Sequence, residues 1–315
     1  MPVILTLTAN PSIDQSVVLG TALERGGVVR SESSFEQAGG KGVNISRAAV
    51  AAGVPSIAVV PAERESAYVL ELLAAGVDCR PERPSGPLRV NLTLTEPDGT
   101  TTKINSPGAT ADTALLECLA EAVTRRAPQA DWVVLAGSLP PGAPEDWYAD
   151  LATALHRVDA RVAVDTSDEP LLALAGRLGE AMPDLLKPNA DELAQLTGAP
   201  VSTPEEAAAA GRLLIEKGAR RVLATLGSEG AVLVEPGGAW HASSPEIVVA
   251  STVGAGDACL FGYLLGDLRG WGPAERLRLA VAYGSAAAAL PGTTMPAPEQ
   301  VRPDWISSVS VRRLS

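Results

Sequence analysis

Gly254-Ala255-Gly256-Asp257 sets a carboxylate directly behind a glycine turn, and the apolar run Ala258 to Leu268 that follows has the length of a buried helix. The unpaired N–H groups of a first helical turn, reinforced by the helix dipole, stabilise a phosphate or the charge that develops in phosphoryl transfer. On this reading Gly254, Ala255 and Gly256 form an anion hole, and Asp257 takes the proton of an attacking hydroxyl. The competing reading is a glycine turn whose acidic residue complements the dipole. Other segments must decide between the two.

Gly39-Gly40-Lys41-Gly42-Val43-Asn44 opens a second helix that reads on to Ala52. It lacks the spacing of a Walker-type nucleotide loop. Lys41 and Asn44 nevertheless share one face of the first turn beside approachable backbone, which suits a polyhydroxylated or phosphorylated ligand. Asp14, in Asn10-Pro11-Ser12-Ile13-Asp14, follows a first strand at Val3 to Thr8, where it can accept hydrogen bonds from sugar hydroxyls. Ser138, in Ala136-Gly137-Ser138-Leu139-Pro140-Pro141-Gly142, follows another apolar strand at the equivalent end. Thr225-Leu226-Gly227-Ser228-Glu229-Gly230 ends a third and suits close backbone approach to a ribose or phosphate. In Lys187-Pro188-Asn189-Ala190-Asp191-Glu192, Asn189 and Glu192 offer oxygens to magnesium, directly or through water. The same spacing also makes a helix capping box.

An alternation of strands and helices must position these segments. Strand patterns at Val3 to Thr8, Ser56 to Val60, Trp132 to Ala136, Arg161 to Asp165, Leu185 to Lys187 and Arg221 to Leu226 alternate with helical ones. The latter run from Lys41 to Ala52, Ser66 to Ala75, Asp112 to Arg126 and Glu145 to Val158, within 190–197, and over 204–217. This rhythm predicts an α/β fold with a mostly parallel central sheet. Residues 15–36 and 88–105 break it with two-residue alternation around the turn Pro97-Asp98-Gly99. They are expected to form a small β-sheet inserted in the body as a lid over the site, with Pro81 to Pro87 as its hinge. Residues 1–315 then make a single domain.

Composition narrows the function classes. A formal charge of −12 argues against nucleic acid or an anionic membrane surface as the main partner, so an anionic substrate must meet local basic residues. The only two histidines, His156 and His241, leave little room for metal-hydrolase or Ser-His-Asp schemes and are expected to be ordinary surface or helix-end residues. Cys79, Cys118 and Cys259 lack the spacing of a zinc site or disulfide framework and read as reduced core residues. The apolar stretches fall short of a membrane span, and the N-terminus reads as a strand without a basic n-region, which places the chain in the cytoplasm.

Taken in order, the Asn10–Asp14, Gly39–Asn44, Lys187–Glu192 and Thr252–Asp257 segments resemble the PfkB-type (ribokinase-like) carbohydrate kinases over nearly the whole chain. The Asn-Pro-x-x-Asp and Gly-Gly-Lys-Gly forms are most similar to the phosphosugar branch, which holds the 1-phosphofructokinases, tagatose-6-phosphate kinases and PfkB-type 6-phosphofructokinases. The resemblance implies a three-layer α/β/α body with a β-sheet lid that often serves as a dimer contact, ATP and Mg2+ as cofactors, and a phosphosugar substrate. Fructose 1-phosphate phosphorylated at O6 is the expected reaction. A non-catalytic sugar- or nucleotide-binding regulator on the same fold is the rival from another class, and it has no use for Asp257.

Carried over position by position, the resemblance implies that Asp257 is the base and Gly254 to Gly256 the anion hole. Asp14, Gly39, Gly40, Asn44 and Ser138 would line the sugar site, while Lys41, Arg89 and Arg30 would hold the phosphate the sugar already carries. Lys187, Asn189, Glu192, Thr225, Gly227, Ser228, Gly230, Gly284 and Ser285 would serve ATP and magnesium. The family's glycine-rich loop after the Ser56 strand is replaced here by Val60-Pro61-Ala62-Glu63-Arg64-Glu65-Ser66, which leaves the identity of the phosphosugar open.

Overall fold

Runs such as Trp132-Val133-Val134-Leu135-Ala136 carry no polar alternation, the pattern of strands covered on both faces. In the structure, a computed structural model that describes residues 1–314, such runs build one large sheet between two helical layers. In chain order the strands are β1 (Ile4–Leu7), β2 (Ser12–Leu19), β3 (Ser31–Gly39), β4 (Ser56–Pro61), β5 (Asp78–Glu82), β6 (Arg89–Thr95), β7 (Thr101–Asn105), β8 (Trp132–Ala136), β9 (Val162–Asp165), β10 (Leu185–Leu186), β11 (Val222–Thr225), β12 (Ala231–Glu235), β13 (Gly238–Ala242) and β14 (Val311–Leu314). The α-helices are α1 (Lys41–Ala51), α2 (Ala67–Ala74), α3 (Thr113–Arg126), α4 (Trp147–His156), α5 (Asp168–Gly176), α6 (Leu178–Ala181), α7 (Ala190–Thr197), α8 (Pro204–Glu216), α9 (Ala255–Leu268), α10 (Pro273–Ala288) and α11 (Pro303–Ser308).

The large sheet has the order β14-β13-β12-β11-β10-β9-β8-β1-β4-β5. From β5 to β11 neighbouring strands are parallel, and β12, β13 and β14 continue antiparallel. Alternate residues of one strand enter different cores. Val133 and Leu135 join the layer of α3 to α8, while Trp132, Val134 and Ala136 meet α1, α9 and α10. The result is the three-layer α/β/α body the resemblance implied.

A large apolar side chain gains about 1.5–3 kcal/mol on full burial, and α9 concentrates that gain: every residue from Asp257 to Gly266 is buried. Gly262 brings α9 against α10, since a Cβ there would stand 2.7 Å from the Leu279 carbonyl oxygen. α9 is thereby locked in place. The second sheet is different. It has the order β3-β2-β6-β7, and no residue of β6 or β7 is buried. With little apolar burial of its own, this small sheet depends on packing against the body for its stability.

The lid is larger at its base than the alternation in 15–36 and 88–105 predicts. β2 begins at Ser12 and β3 runs on to Gly39, so Asp14 and Gly39 are strand residues, Gly39 pairing with Ser12 and lying diagonally across the ladder from Asp14. Pro81 belongs to β5, an edge strand, where a missing N–H costs no ladder bond. The connection into the lid is therefore residues 83–88. His156 ends α4 as expected, but His241 is a buried residue of β13 whose Nε2 lies 2.8 Å from the Glu229 carbonyl oxygen. Cys79 and Cys259 are buried, whereas Cys118 is half-buried and donates to Glu82 Oε2. Among the described residues no helix is long and apolar enough to cross a membrane.

Candidate active site

Winding of the large sheet reverses at β1, which has β4 and β5 on one side and β8 onward on the other. The carboxyl ends of strands at such a switch point open a crevice. Asn10 stands in it, just after β1. Its Nδ2 donates to the Pro107 carbonyl oxygen (3.0 Å), to Ser138 Oγ (3.4 Å) and to the Leu139 carbonyl oxygen (3.3 Å), tying the exit of the lid to the loop after β8. A cleft of about 460 Å³ lies alongside, lined by Asn10, Arg89, Ser106, Ser138 and Glu145 among others, a volume suited to a small ligand.

Asp14 projects from the lid strand β2. Its Oδ1 accepts from Ser12 Oγ (2.7 Å) and Asn91 Nδ2 (3.1 Å). Burial raises its pKa above the ordinary carboxylate value, and Ser12, Asn91, Arg89 and Arg47 oppose that rise. A side chain at Gly39 would overlap this carboxylate, which explains glycine there better than backbone freedom does. Arg89 turns toward the same cleft. Its Nη1 donates to the Ser106 carbonyl oxygen (3.3 Å), and burial lowers its pKa.

Gly254 adopts φ 78°, a left-handed turn that starts α9. The first bond across the turn joins the Ala258 N–H to the Gly254 carbonyl at 2.9 Å, so the N–H groups of Ala255, Gly256 and Asp257 have no acceptor within the helix. Asp257 is 5% exposed, and its Oδ2 accepts from Asn44 Nδ2 at 2.8 Å. Burial pushes its carboxyl up to about 6, aided by the negative charge of Asp165 and opposed by Lys41, the Asn44 bond and Lys187. The other amide atom, Asn44 Oδ1, is buried without a partner and is open to a donor such as a hydroxyl.

Asp165, the last residue of β9, was not singled out from the sequence, yet it organises the centre of the site. Its fully buried carboxylate takes Lys41 Nζ at 2.8 Å and Lys187 Nζ at 3.3 Å on the same oxygen. Burial would raise its pKa, but Lys187 and Lys41 outweigh that and hold it below the usual carboxylate range. Burial likewise would lower Lys41, and Asp165 with Asp257 holds it above the ordinary lysine value instead. Lys187 Nζ also lies 3.5 Å from where a Cβ of Gly256 would stand, directly at the turn that starts α9. Lys41 thus reaches Asp165, while Arg89 donates to the Ser106 carbonyl beside the cleft. The signal for Asp165 in the sequence was its place at the carboxyl end of an apolar strand.

On the other side of the lysines, Asn189 and Glu192 form the capping box, with Asn189 Oδ1 accepting from the Glu192 N–H and Glu192 Oε2 from the Asn189 N–H, both at 2.8 Å. Asn189 also bridges to Thr225, whose N–H donates to the Pro188 carbonyl oxygen at 3.0 Å. This brings the Thr225 to Gly230 loop, with Gly227 and Ser228 exposed, beside Lys187 and Asn189. Gly284 packs against the first turn of α9, 3.2 Å from the Ala255 carbonyl oxygen as measured from a built Cβ, and the next residue, Ser285, is buried. Arg30 does not join the cluster. It is exposed just before β3, whose first residue pairs with Leu19, roughly 17 Å along β2 from Asp14. The Val60–Ser66 segment stays short: the Ala62 N–H donates to the Glu82 carbonyl oxygen, and Ser66 caps α2.

Unpaired backbone N–H groups beside a buried acid, near a polar cleft under a small sheet, suit the transfer of a phosphoryl group onto a small hydroxylated acceptor, and the layers around them are those of a ribokinase-like fold. The chain belongs to the pfkB family of carbohydrate kinases, which it matches over residues 8–300. It is 36% identical over 303 residues to the 1-phosphofructokinase of Rhodobacter capsulatus, covering 95% of this chain and 94% of that protein. Identity to the 1-phosphofructokinase of Bacillus subtilis is 33%, with 90% and 92% covered. The phosphofructokinase-2 of Escherichia coli in complex with potassium has the same structure at a TM-score of 0.88 and 28% identity, over 98% of this chain and 99% of that one. Arabidopsis thaliana ribokinase complexed with ribose and ATP, 24% identical over 95% and 97% of the two chains, shares the fold at a TM-score of 0.73. ATP-dependent phosphorylation of a phosphosugar follows from this membership.

Proposed function

We propose that the acceptor is fructose 1-phosphate, converted to fructose 1,6-bisphosphate with Asp257 as general base. One arrangement carries the reading. Asp257 lies buried in the first turn of α9, hydrogen-bonded to Asn44, and the same Gly39–Asn44 segment packs Gly39 against Asp14, so base and sugar-binding carboxylate belong to one crevice. The choice among phosphosugars is supported by the relatives named 1-phosphofructokinase.

In this mechanism Asp14, the Gly39-Gly40 backbone, Asn44 and Ser138 hold the sugar hydroxyls, and Arg89 takes the phosphate on C1. The O6–H proton passes to Asp257 as O6 bonds to the γ-phosphorus and the bond from that phosphorus to the ADP oxygen breaks. The N–H groups of Ala255, Gly256 and Asp257, with Lys187 and Lys41 beside them, stabilise the charge on the transferring group. Lid closure excludes water. Asn189, Thr225, Gly227, Ser228, Gly230, Gly284 and Ser285 serve the nucleotide. Magnesium suits an oxygen donor set. Asp165 Oδ2, buried without a partner, and Glu192 with Asn189, through water, would hold it, and the ion would neutralise phosphate charge.

Release of ADP, followed with fructose 1-phosphate, fructose 6-phosphate, tagatose 6-phosphate and fructose, tests the acceptor. The highest kcat/KM is expected with fructose 1-phosphate, and a better rate with unphosphorylated fructose would refute the reading. Arg89→Ala should raise the phosphosugar KM roughly 10- to 100-fold, as expected for loss of charge-assisted hydrogen bonds, and leave the KM for ATP within twofold.

The outer face of the lid is proposed to meet a second copy. Ile13, Val17, Val90, Leu92, Leu94 and Ile104 alternate away from the face that carries Asp14 and Asn91, and none of them is buried. Light scattering should give twice the chain mass, and Ile104→Glu should give one. A monomeric wild-type protein at micromolar concentration would contradict this assembly.

A further inference from the structure

Residues Ser31 to Glu36 of β3 are exposed, but the next, Gln37, is 7% exposed although it belongs to the lid. It pairs directly with Asp14 in the β2–β3 ladder and so shares the inner face of the sheet. Its Nε2 donates to Thr293 Oγ1 at 2.7 Å and to the Thr293 carbonyl oxygen at 3.2 Å, across 256 positions of sequence.

Thr293 lies in the segment that follows α10. Two residues further on, the Met295 methyl occupies the space a side chain at Gly254 would need, so it packs on the turn that starts α9. One residue earlier, Gly292 approaches Ser16 of β2, with 3.9 Å between a built Cβ and the hydroxyl oxygen. A stretch of four residues thus touches the lid at Ser16 and Gln37 and the anion-hole turn at Gly254.

We propose that Gln37 and Thr293 form a latch that fastens the closed lid, on the side of the acceptor, to the segment that supports the anion-hole turn. Gln37 is a positioning residue: it acts through Thr293 and Met295 on Gly254 and reaches no reacting atom. The latch links two events that a kinase must keep together. Acceptor binding brings the lid down at Asp14, and the same movement seats the segment that holds the turn, so the γ-phosphoryl group meets a complete site only when water is shut out. The inference rests on the acceptor and base assignments proposed above.

Gln37→Leu keeps the side-chain size and removes the donor, and Thr293→Val removes the hydroxyl acceptor. Each should lower kcat about tenfold, leave the Kd of ATP unchanged, and raise ATP hydrolysis without sugar relative to transfer. The double variant should fall no further than Gln37→Leu, since that change already removes both bonds to Thr293. Thr293→Ser, which keeps the hydroxyl, should restore kcat to within twofold. Wild-type kcat and coupling in Gln37→Leu, or strictly multiplicative losses in the double variant, would overturn the latch. A fully active Asp257→Asn enzyme would instead overturn the base assignment on which it rests.

Discussion

Asp257→Asn is expected to lower kcat by roughly 10² to 10⁴ fold while the Kd of ATP stays within about twofold, because the amide keeps the shape of the side chain but accepts no proton. The wild-type enzyme should show the base as an acid limb. Its carboxyl is pushed up to about 6 by burial and by Asp165, so kcat/KM should fall about tenfold per pH unit below that value and level off above it. The same shift has a sign in stability. The folded pKa lies above the ordinary carboxylate value, so folding favours the protonated form; that contribution is complete below about pH 4 and is lost as pH rises through about 6. At pH 8 the wild-type protein therefore carries a buried charge that costs about 3 kcal/mol. Asp257→Asn should unfold at a higher temperature than wild type at pH 8, with the gain shrinking toward pH 4. Undiminished turnover in the variant, or a thermal difference that grows as pH falls, would remove Asp257 from the role of a strained base.

Asp165→Ala should produce the largest loss of stability of any single change in the site, about 3–5 kcal/mol in urea unfolding. The carboxylate is fully buried and compensates Lys187, itself 5% exposed, together with Lys41. Removing it leaves two ammonium groups side by side with only Asp257 and the more distant Glu192 to answer them. Two consequences separate this from a cavity effect. Asp257 loses a negative neighbour and gains a larger share of the lysines, so the acid limb should move below pH 6. Asp165→Asn, which keeps the volume and lacks the charge, should shift the limb in the same direction. A destabilisation under about 1 kcal/mol, with the limb unmoved, would show that the lysines do not depend on this carboxylate.

These two residues differ in how they could be found. Asp257 was legible because its setting is local: a left-handed glycine, an apolar helix and an acid in the first turn lie within a few positions, and chain geometry does the rest. The alternation of apolar runs likewise announced a parallel sheet, since strands buried on both faces show no polar alternation. Asp14, Ser138 and the Thr225 to Gly230 loop were visible for a related reason, namely their places at strand ends, where an α/β sheet gathers its ligands, and Asn44 because it shares the first turn of a glycine-led helix with Lys41.

What only the tertiary structure decided was partnership. The direction of the Lys41 side chain, toward Asp165, depends on a strand that lies 124 positions later. The need for glycine at 39 comes from the Asp14 carboxylate packed against it across the ladder. The burial of His241 and of Gln37 follows from the antiparallel strands added after β11 and from the segment after α10, neither of which local periodicity announced. Backbone conformation is governed by neighbours in sequence, so the amino acids alone specified turns, helix starts and strand faces. Charge compensation and packing are governed by neighbours in space, so which acid holds which base was determined only once the sheet had brought α1, β9 and the end of β10 together.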